Sequence, residues 1–260
     1  TGHDVTLWPV SLVEAQYYTR EINSLGLPER RDMAAGIRLR LRTMGGQLFS
    51  DIDLNRLNVY IRGGGDVGAR LYEAIFSHGV GVVMRPATDP VPWQRTLSSE
   101  RIRQVGFDDD EYLLPYGSRS FQGYRLLHEY FAFPQRFMFF EIGGLGKYLG
   151  NAITSEVDVF ILLKQGDVRL ENEVGPSNFV LNCTPAVNLF PMEPDRVDVS
   201  DTQSRFHIVG DRTRPLDYEV YQVNQITGYG TQMGDKQVFE PFYSAKGYDA
   251  ESRAYFTTYR

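Results

Sequence analysis

Residues 63–68, Gly-Gly-Gly-Asp-Val-Gly, satisfy the G-x-G-x-x-G spacing that lets backbone N–H groups cradle a pyrophosphate, and Asp89 follows about where a ribose-binding carboxylate would stand. A dinucleotide site would also need the preceding strand to be apolar on both faces, because it would lie inside a parallel sheet. Here Asn58 and Arg62 are polar, Asp66 puts a carboxylate where the phosphate should meet the helix N-terminus, and Asp89 lies in a proline loop. The same residues fit a glycine turn whose Asp66 favours the helix dipole. That turn is the expectation, with a nucleotide-binding or enzymatic module on 63–68 as the competing reading.

Other candidate chemistry is thinner. Asp51, Asp53 and Asn55 imitate the first ligands of a calcium loop, but Arg56 stands where glycine makes the turn and Arg62 where a bidentate glutamate belongs. The run Asp108, Asp109, Asp110 and Glu111 has the charge for a divalent ion and equally the composition of a solvated loop. His3, His78, His128 and His207 are scattered without metal-ligand spacing, no G-x-S-x-G occurs, and Cys183 has no histidine neighbour in sequence to generate a thiolate. His128 and His207 therefore read as structural residues. No catalytic residue, cofactor site or metal site is expected. In 211–217 the charges alternate around Pro215, so Arg212 or Arg214 can pair with Asp211, Asp217 or a carboxylate of a partner.

The elements that would position these residues are mostly strands. Residues 4–19 read as an extended edge broken by Pro9, 36–43 alternate apolar and basic residues at period two, and 57–61 alternate again. A short helix over 69–77 and a strand over 79–84 complete an α+β unit. Three prolines limit structure between 85 and 100, which makes this loop the expected boundary between subdomains 1–90 and 91–260. Beyond it come strands at 102–105, 137–142 and 156–164, the last apolar enough to be buried. Further strands are expected at 179–182, 197–199, 206–209 and 218–226. The fold class is α+β, dominated by β structure, with mixed sheets and a few short helices.

Residues 118–141 are the densest in aromatics. Ser120 is placed to cap a helix in which Phe121, Tyr124, Leu127 and Phe131 recur at helical spacing, and Pro134 ends it. Such rings pack a core first and touch a partner second, so the expected buried face is the aromatic one, with Arg125, His128 and Glu129 mostly outside.

A chain of 260 residues with 42% hydrophobic content can bury a core. Its net charge of -6, with both signs interleaved, argues against a nucleic-acid binder that tracks the phosphate backbone. One cysteine is compatible with a reducing cytoplasm, and no apolar run approaches the roughly 20 residues of a membrane helix. With no signal-peptide pattern at its start, the sequence reads as a soluble segment.

Two long strings carry a family resemblance: GYRLLHEYFAFPQRFMFFE from Gly123, and CTPAVNLFPMEPDRVDV from Cys183 followed by DRTRPLDYEVYQVNQITGYG from Asp211. Both are similar to runs of TssF, a baseplate subunit family of the bacterial type VI secretion system, and weaker likeness extends from VTLWPVSLVEAQYY to FYSA. The resemblance implies a central fragment of a protein about twice as long, with a structural role and no cofactor. It also implies a wedge built with TssG, TssE, TssK and a second TssF copy around a VgrG hub, in the cytoplasm and docked at the inner-membrane complex without inserting. Phe121, Tyr124, Tyr130, Arg212 and Arg214 are the expected partner-contact residues.

Overall fold

A computed structural model describes residues 2–115, 121–200, 202–230, 234–242 and 254–259. The chain divides into two compact units, Thr1–Val187 and Asn188–Arg260. The proline-rich loop between 85 and 100 thus lies inside the first unit, where it joins two paired strands.

The first unit holds two antiparallel sheets. One has the order β1-β2-β8-β4-β5, from β1 (Val10–Tyr18), β2 (Ala35–Thr43), β4 (Gly79–Pro86), β5 (Arg95–Ser98) and β8 (Glu156–Leu163). The other has the order β6-β7-β3-β9, from β3 (Arg56–Ile61), β6 (Ile102–Val105), β7 (Phe139–Gly143) and β9 (Phe179–Val180). Four helices accompany them: α1 (Val67–His78), α2 (Gln122–Ala132), α3 (Gly146–Leu149) and α4 (Val168–Glu173). The strands of 1–90 therefore do not share one sheet, because β3 pairs with β7 and β9 while β1, β2 and β4 surround β8.

Register explains which residues meet. On one face of the larger sheet Ile37, Ile161 and Val82 form one row across β2, β8 and β4, and Leu39, Val159 and Met84 form the next. This period-two set joins Leu57, Val59, Ile61, Phe140 and Ile142 of the smaller sheet, with Leu71 and Ile75 of α1, in a single buried core. β8 is central and buried on both faces, which is why its sequence is continuously apolar. On the other face Val83, Phe160 and Leu162 are covered by Leu25, Leu27 and Met33 of the segment between β1 and β2. The Arg85 guanidinium lies 4.9 Å from the centre of the Phe160 ring.

The same outer face explains the basic positions of β2. Arg38 and Arg40 reach the buried Asp158 of β8 at 3.1 and 2.8 Å, and Arg42 pairs with Glu156 at 2.7 Å. Burial pushes the Asp158 carboxyl above the ordinary carboxylate range, opposed by the charge of Arg38. The β1 edge is tied to α4 by Thr19, whose hydroxyl donates to Glu171 at 2.7 Å, and by Tyr17, whose hydroxyl accepts from the Asp167 N–H at 3.0 Å.

The second unit carries one three-stranded sheet, β10 (Ile226–Tyr229), β11 (Lys236–Pro241) and β12 (Ala254–Phe256), with β11 and β12 parallel. The strands expected at 197–199, 206–209 and 218–225 are irregular chain instead. None of the described residues of this unit is buried, so these apolar residues have no inner face to alternate against and no ladder to join. The strand expected over 179–182 stops after Val180. Asn182 adopts a left-handed φ of 54° and turns its side chain to the Trp8 backbone, accepting from the N–H at 2.9 Å and donating to the carbonyl at 3.0 Å.

Candidate functional site

The glycine turn is explained by backbone geometry. A Cβ at Gly63 would meet the Gly68 amide nitrogen at 2.6 Å, and Gly65 has a φ of 60°. The strand before it, β3, is antiparallel to both neighbours and alternates buried and partly exposed residues, so it does not feed a doubly wound parallel sheet. Asp66 pairs with Arg70 one turn along α1, and Arg70 also reaches Asp167 at 3.0 Å. Asp89 sits in the loop between β4 and β5.

The acidic run is a set of structural acceptors. Glu111 accepts from the N–H groups of Gly106 at 2.6 Å and Asp108 at 3.2 Å, Asp108 pairs with Arg103, and Asp109 faces Arg125 at 3.7 Å. Among the described residues no group of three or more His, Cys, Asp or Glu side chains is arranged to hold a metal ion. Burial pushes the Cys183 thiol up, away from the thiolate form. His128 and His207 are both exposed, and His207 lies outside any strand, which corrects the reading of them as packed residues.

The main correction concerns α2. Ser120, the expected cap, lies outside the described residues. The helix itself forms as expected, but docks by the opposite face. Arg125 is 6% exposed and Glu129 2%, whereas Leu127 is 56% and Phe131 81% exposed. Phe121, Tyr124 and Tyr130 are exposed as well. Glu129 accepts from the backbone N–H groups of Leu113 at 3.0 Å and Leu114 at 2.9 Å, and pairs with the guanidinium of Arg136, which is only 1% exposed. Arg136 also donates to the Glu111 carbonyl, and Arg125 donates to the Asp109 carbonyl at 3.1 Å.

The physical reason is competition between two stripes of one helix. An apolar face gains from burial anywhere, but the loop before the helix presents two amide N–H groups that must find acceptors once covered. A carboxylate answers both and also neutralises Arg136, a combination no phenylalanine can offer. Burial lowers the Arg136 pKa from its ordinary value, with the charge of Glu129 opposing that shift. The signal in sequence was the isolation of the charges: Arg125 and Glu129, four apart, are the only Lys, Arg, Asp or Glu residues of α2.

The aromatic face is left uncovered in the described structure. Phe121 and Tyr124 stack edge to face with centroids 5.7 Å apart, and Tyr130 and Phe131 do so at 5.6 Å. In the second unit both expected arginines are exposed. Arg214 lies 3.6 Å from Asp211 and 3.9 Å from Asp217, loose pairs of the weak surface kind, while Arg212 donates to the Arg196 carbonyl at 2.7 Å. Of the five expected contact residues, Phe121, Tyr124 and Tyr130 share α2 and its N-terminal flank, and Arg212 and Arg214 share one turn.

Comparison with known proteins agrees along the whole chain. A family model described as type VI secretion system, TssF, matches residues 1–260. The type VI secretion system component TssF1 of Pseudomonas aeruginosa is 40% identical over 248 residues, covering 95% of this chain and 39% of that protein. The chain therefore spans about two fifths of the length of that curated relative. In solved structures, a chain of a TssK-TssF-TssG baseplate subcomplex of the type VI secretion system superposes with a TM-score of 0.67 at 23% identity, over 92% of this chain and 42% of that one. That likeness establishes a shared fold. With a family model matched from end to end and a relative at 40% identity across nearly all of it, the chain belongs to the TssF family of the type VI secretion system.

Proposed function

We propose that this chain is the structural middle of a TssF subunit and works in the type VI secretion baseplate by holding other polypeptides in place, without turnover of a substrate. The observation that carries this reading is the inverted helix: α2 is fixed by its charged face and offers an uncharged aromatic face outward. An exposed stripe of large apolar side chains is an interaction surface by default. The partners follow from membership of the family and the named assembly of its structural neighbour: TssG and TssK first, then TssE, a second TssF copy and the VgrG hub. Phe121, Tyr124 and Tyr130 form one contact region and Arg212 and Arg214 another, the latter suited to partner carboxylates.

Such a part acts by holding a loaded arrangement that rearranges when the sheath contracts, a two-state element biased by contacts. No helix among the described residues is long and apolar enough to cross a membrane. The proposed location is the cytoplasmic baseplate, docked at the inner-membrane complex. The test is co-expression of the full-length subunit with TssG and TssK. The expected result is a complex that survives size-exclusion chromatography; a full-length subunit that elutes alone contradicts the reading.

A further inference from the structure

The structure assigns α2 a more specific task, which rests on the assembly reading: we propose that its outward ridge seats in an uncharged apolar groove of a different polypeptide held in the same complex. Tyr124, Leu127 and Phe131 stand at i, i+3 and i+7, with Tyr130 beside them, on the side of the helix opposite Arg125 and Glu129. At 1.5 Å per residue these anchors cover about 10 Å, two helical turns. This spacing is the signature of a helix laid into a groove.

The chemistry of the occupant follows from charge. Both charged residues of α2 point inward and are engaged there, Glu129 with Arg136 and Arg125 with Asp109, so nothing on the ridge can compensate a charged group that lost its water on docking. A charged or phosphorylated peptide is therefore a poor fit. A lipid surface fits poorly too, because an interfacial helix needs lysines or arginines on its flanks and this one has only His128 in that position.

Size separates a second copy from a different chain. The rings of Tyr124, Tyr130 and Phe131, each more than half exposed, offer roughly 300 to 500 Å² between them. Two copies paired ridge to ridge would bury at most about 1,000 Å², short of the roughly 1,200 Å² at which stable interfaces begin. The occupant must then be held by other contacts of the assembly as well, which supply the effective concentration that this small site lacks. The ridge is ready for it, since Glu129 and Arg136 fix the helix before any partner arrives and reduce the ordering cost of docking.

The experiment places the photo-crosslinking residue p-benzoylphenylalanine at Leu127, and separately at Phe131, in the full-length subunit co-expressed with TssG and TssK. Cross-linked peptides are then identified by mass spectrometry. The expected product joins α2 to one segment of a different polypeptide whose apolar residues recur at helical spacing. In parallel, Leu127→Asp should weaken co-purification by at least about tenfold, with the melting temperature of the free subunit unchanged and Leu127→Met restoring binding. Cross-links to α2 of a second copy, to a charged or extended segment, to lipid, to the same chain or to nothing would overturn the proposal while leaving the assembly reading intact. Failure of the unmodified subunit to form any complex would remove both.

Discussion

α1 and α2 are helices of similar length in the same unit, yet they dock by opposite kinds of surface. α1 turns Leu71, Ala74 and Ile75 into the core and keeps its ion pair, Asp66 with Arg70, on the solvent side. α2 turns Arg125 and Glu129 inward and leaves Tyr124, Leu127 and Phe131 outside. The first arrangement is held by loss of apolar surface from water, which tolerates small shifts. The second is held by a carboxylate aimed at two amides and a guanidinium, which requires a fixed geometry. A helix fixed that way need not spend its apolar face on its own domain, and that face stays available to another chain.

The comparison breaks first at the buried carboxylate. Glu129→Ala leaves Arg136 and the N–H groups of Leu113 and Leu114 buried without this acceptor, and should lower unfolding free energy in urea by about 3 to 5 kcal/mol. A loss below about 1 kcal/mol would mean that α2 is held by something else. Leu71→Ala on α1 makes a cavity in the shared core and should cost about 3 kcal/mol in the same measurement.

A solvent-side carboxylate should behave differently from Glu129. Asp167 caps α4 by accepting from the Arg169 N–H and meets Arg70 of α1; these hold its pKa below the ordinary value, the Arg169 contact first. A lowered carboxylate contributes stability above its unfolded pKa of about 3.9 and loses it as pH falls through the folded value. Asp167→Ala should therefore cost no more than about 1 kcal/mol near neutral pH, and the difference from wild type should vanish in acid. Smallest of all, Leu127→Ser on the ridge should change the stability of the free chain by less than about 0.5 kcal/mol, as an exposed substitution does.

The sheets were legible from sequence where a strand has one or two buried faces. The alternation in 57–61 and the unbroken apolar run in 156–163 state how many faces of β3 and β8 are covered, and the structure agrees. Which strands pair was not legible, because register between β3 and β7 depends on partners some eighty residues apart. The irregular stretch before Ile226 misled because valines and tyrosines between prolines resemble short strands whether or not a ladder is available. The candidate site was half legible. The spacing of Phe121, Tyr124, Leu127 and Phe131 gave the helix and its two stripes, but hydropathy ranks rings above a carboxylate and cannot register the two amides of Leu113 and Leu114 waiting under it.

Thiol labelling reports directly on which face of α2 is free. In a Cys183→Ser background, Leu127→Cys and Leu71→Cys place one thiol on each helix of the comparison. The account predicts that the thiol at 127 reacts in the native chain nearly as fast as in urea, while the thiol at 71 is protected until the chain unfolds. Equal protection at both positions would show the ridge of α2 buried within its own chain, and would contradict the claim that this helix is anchored by charge and reserved for a partner.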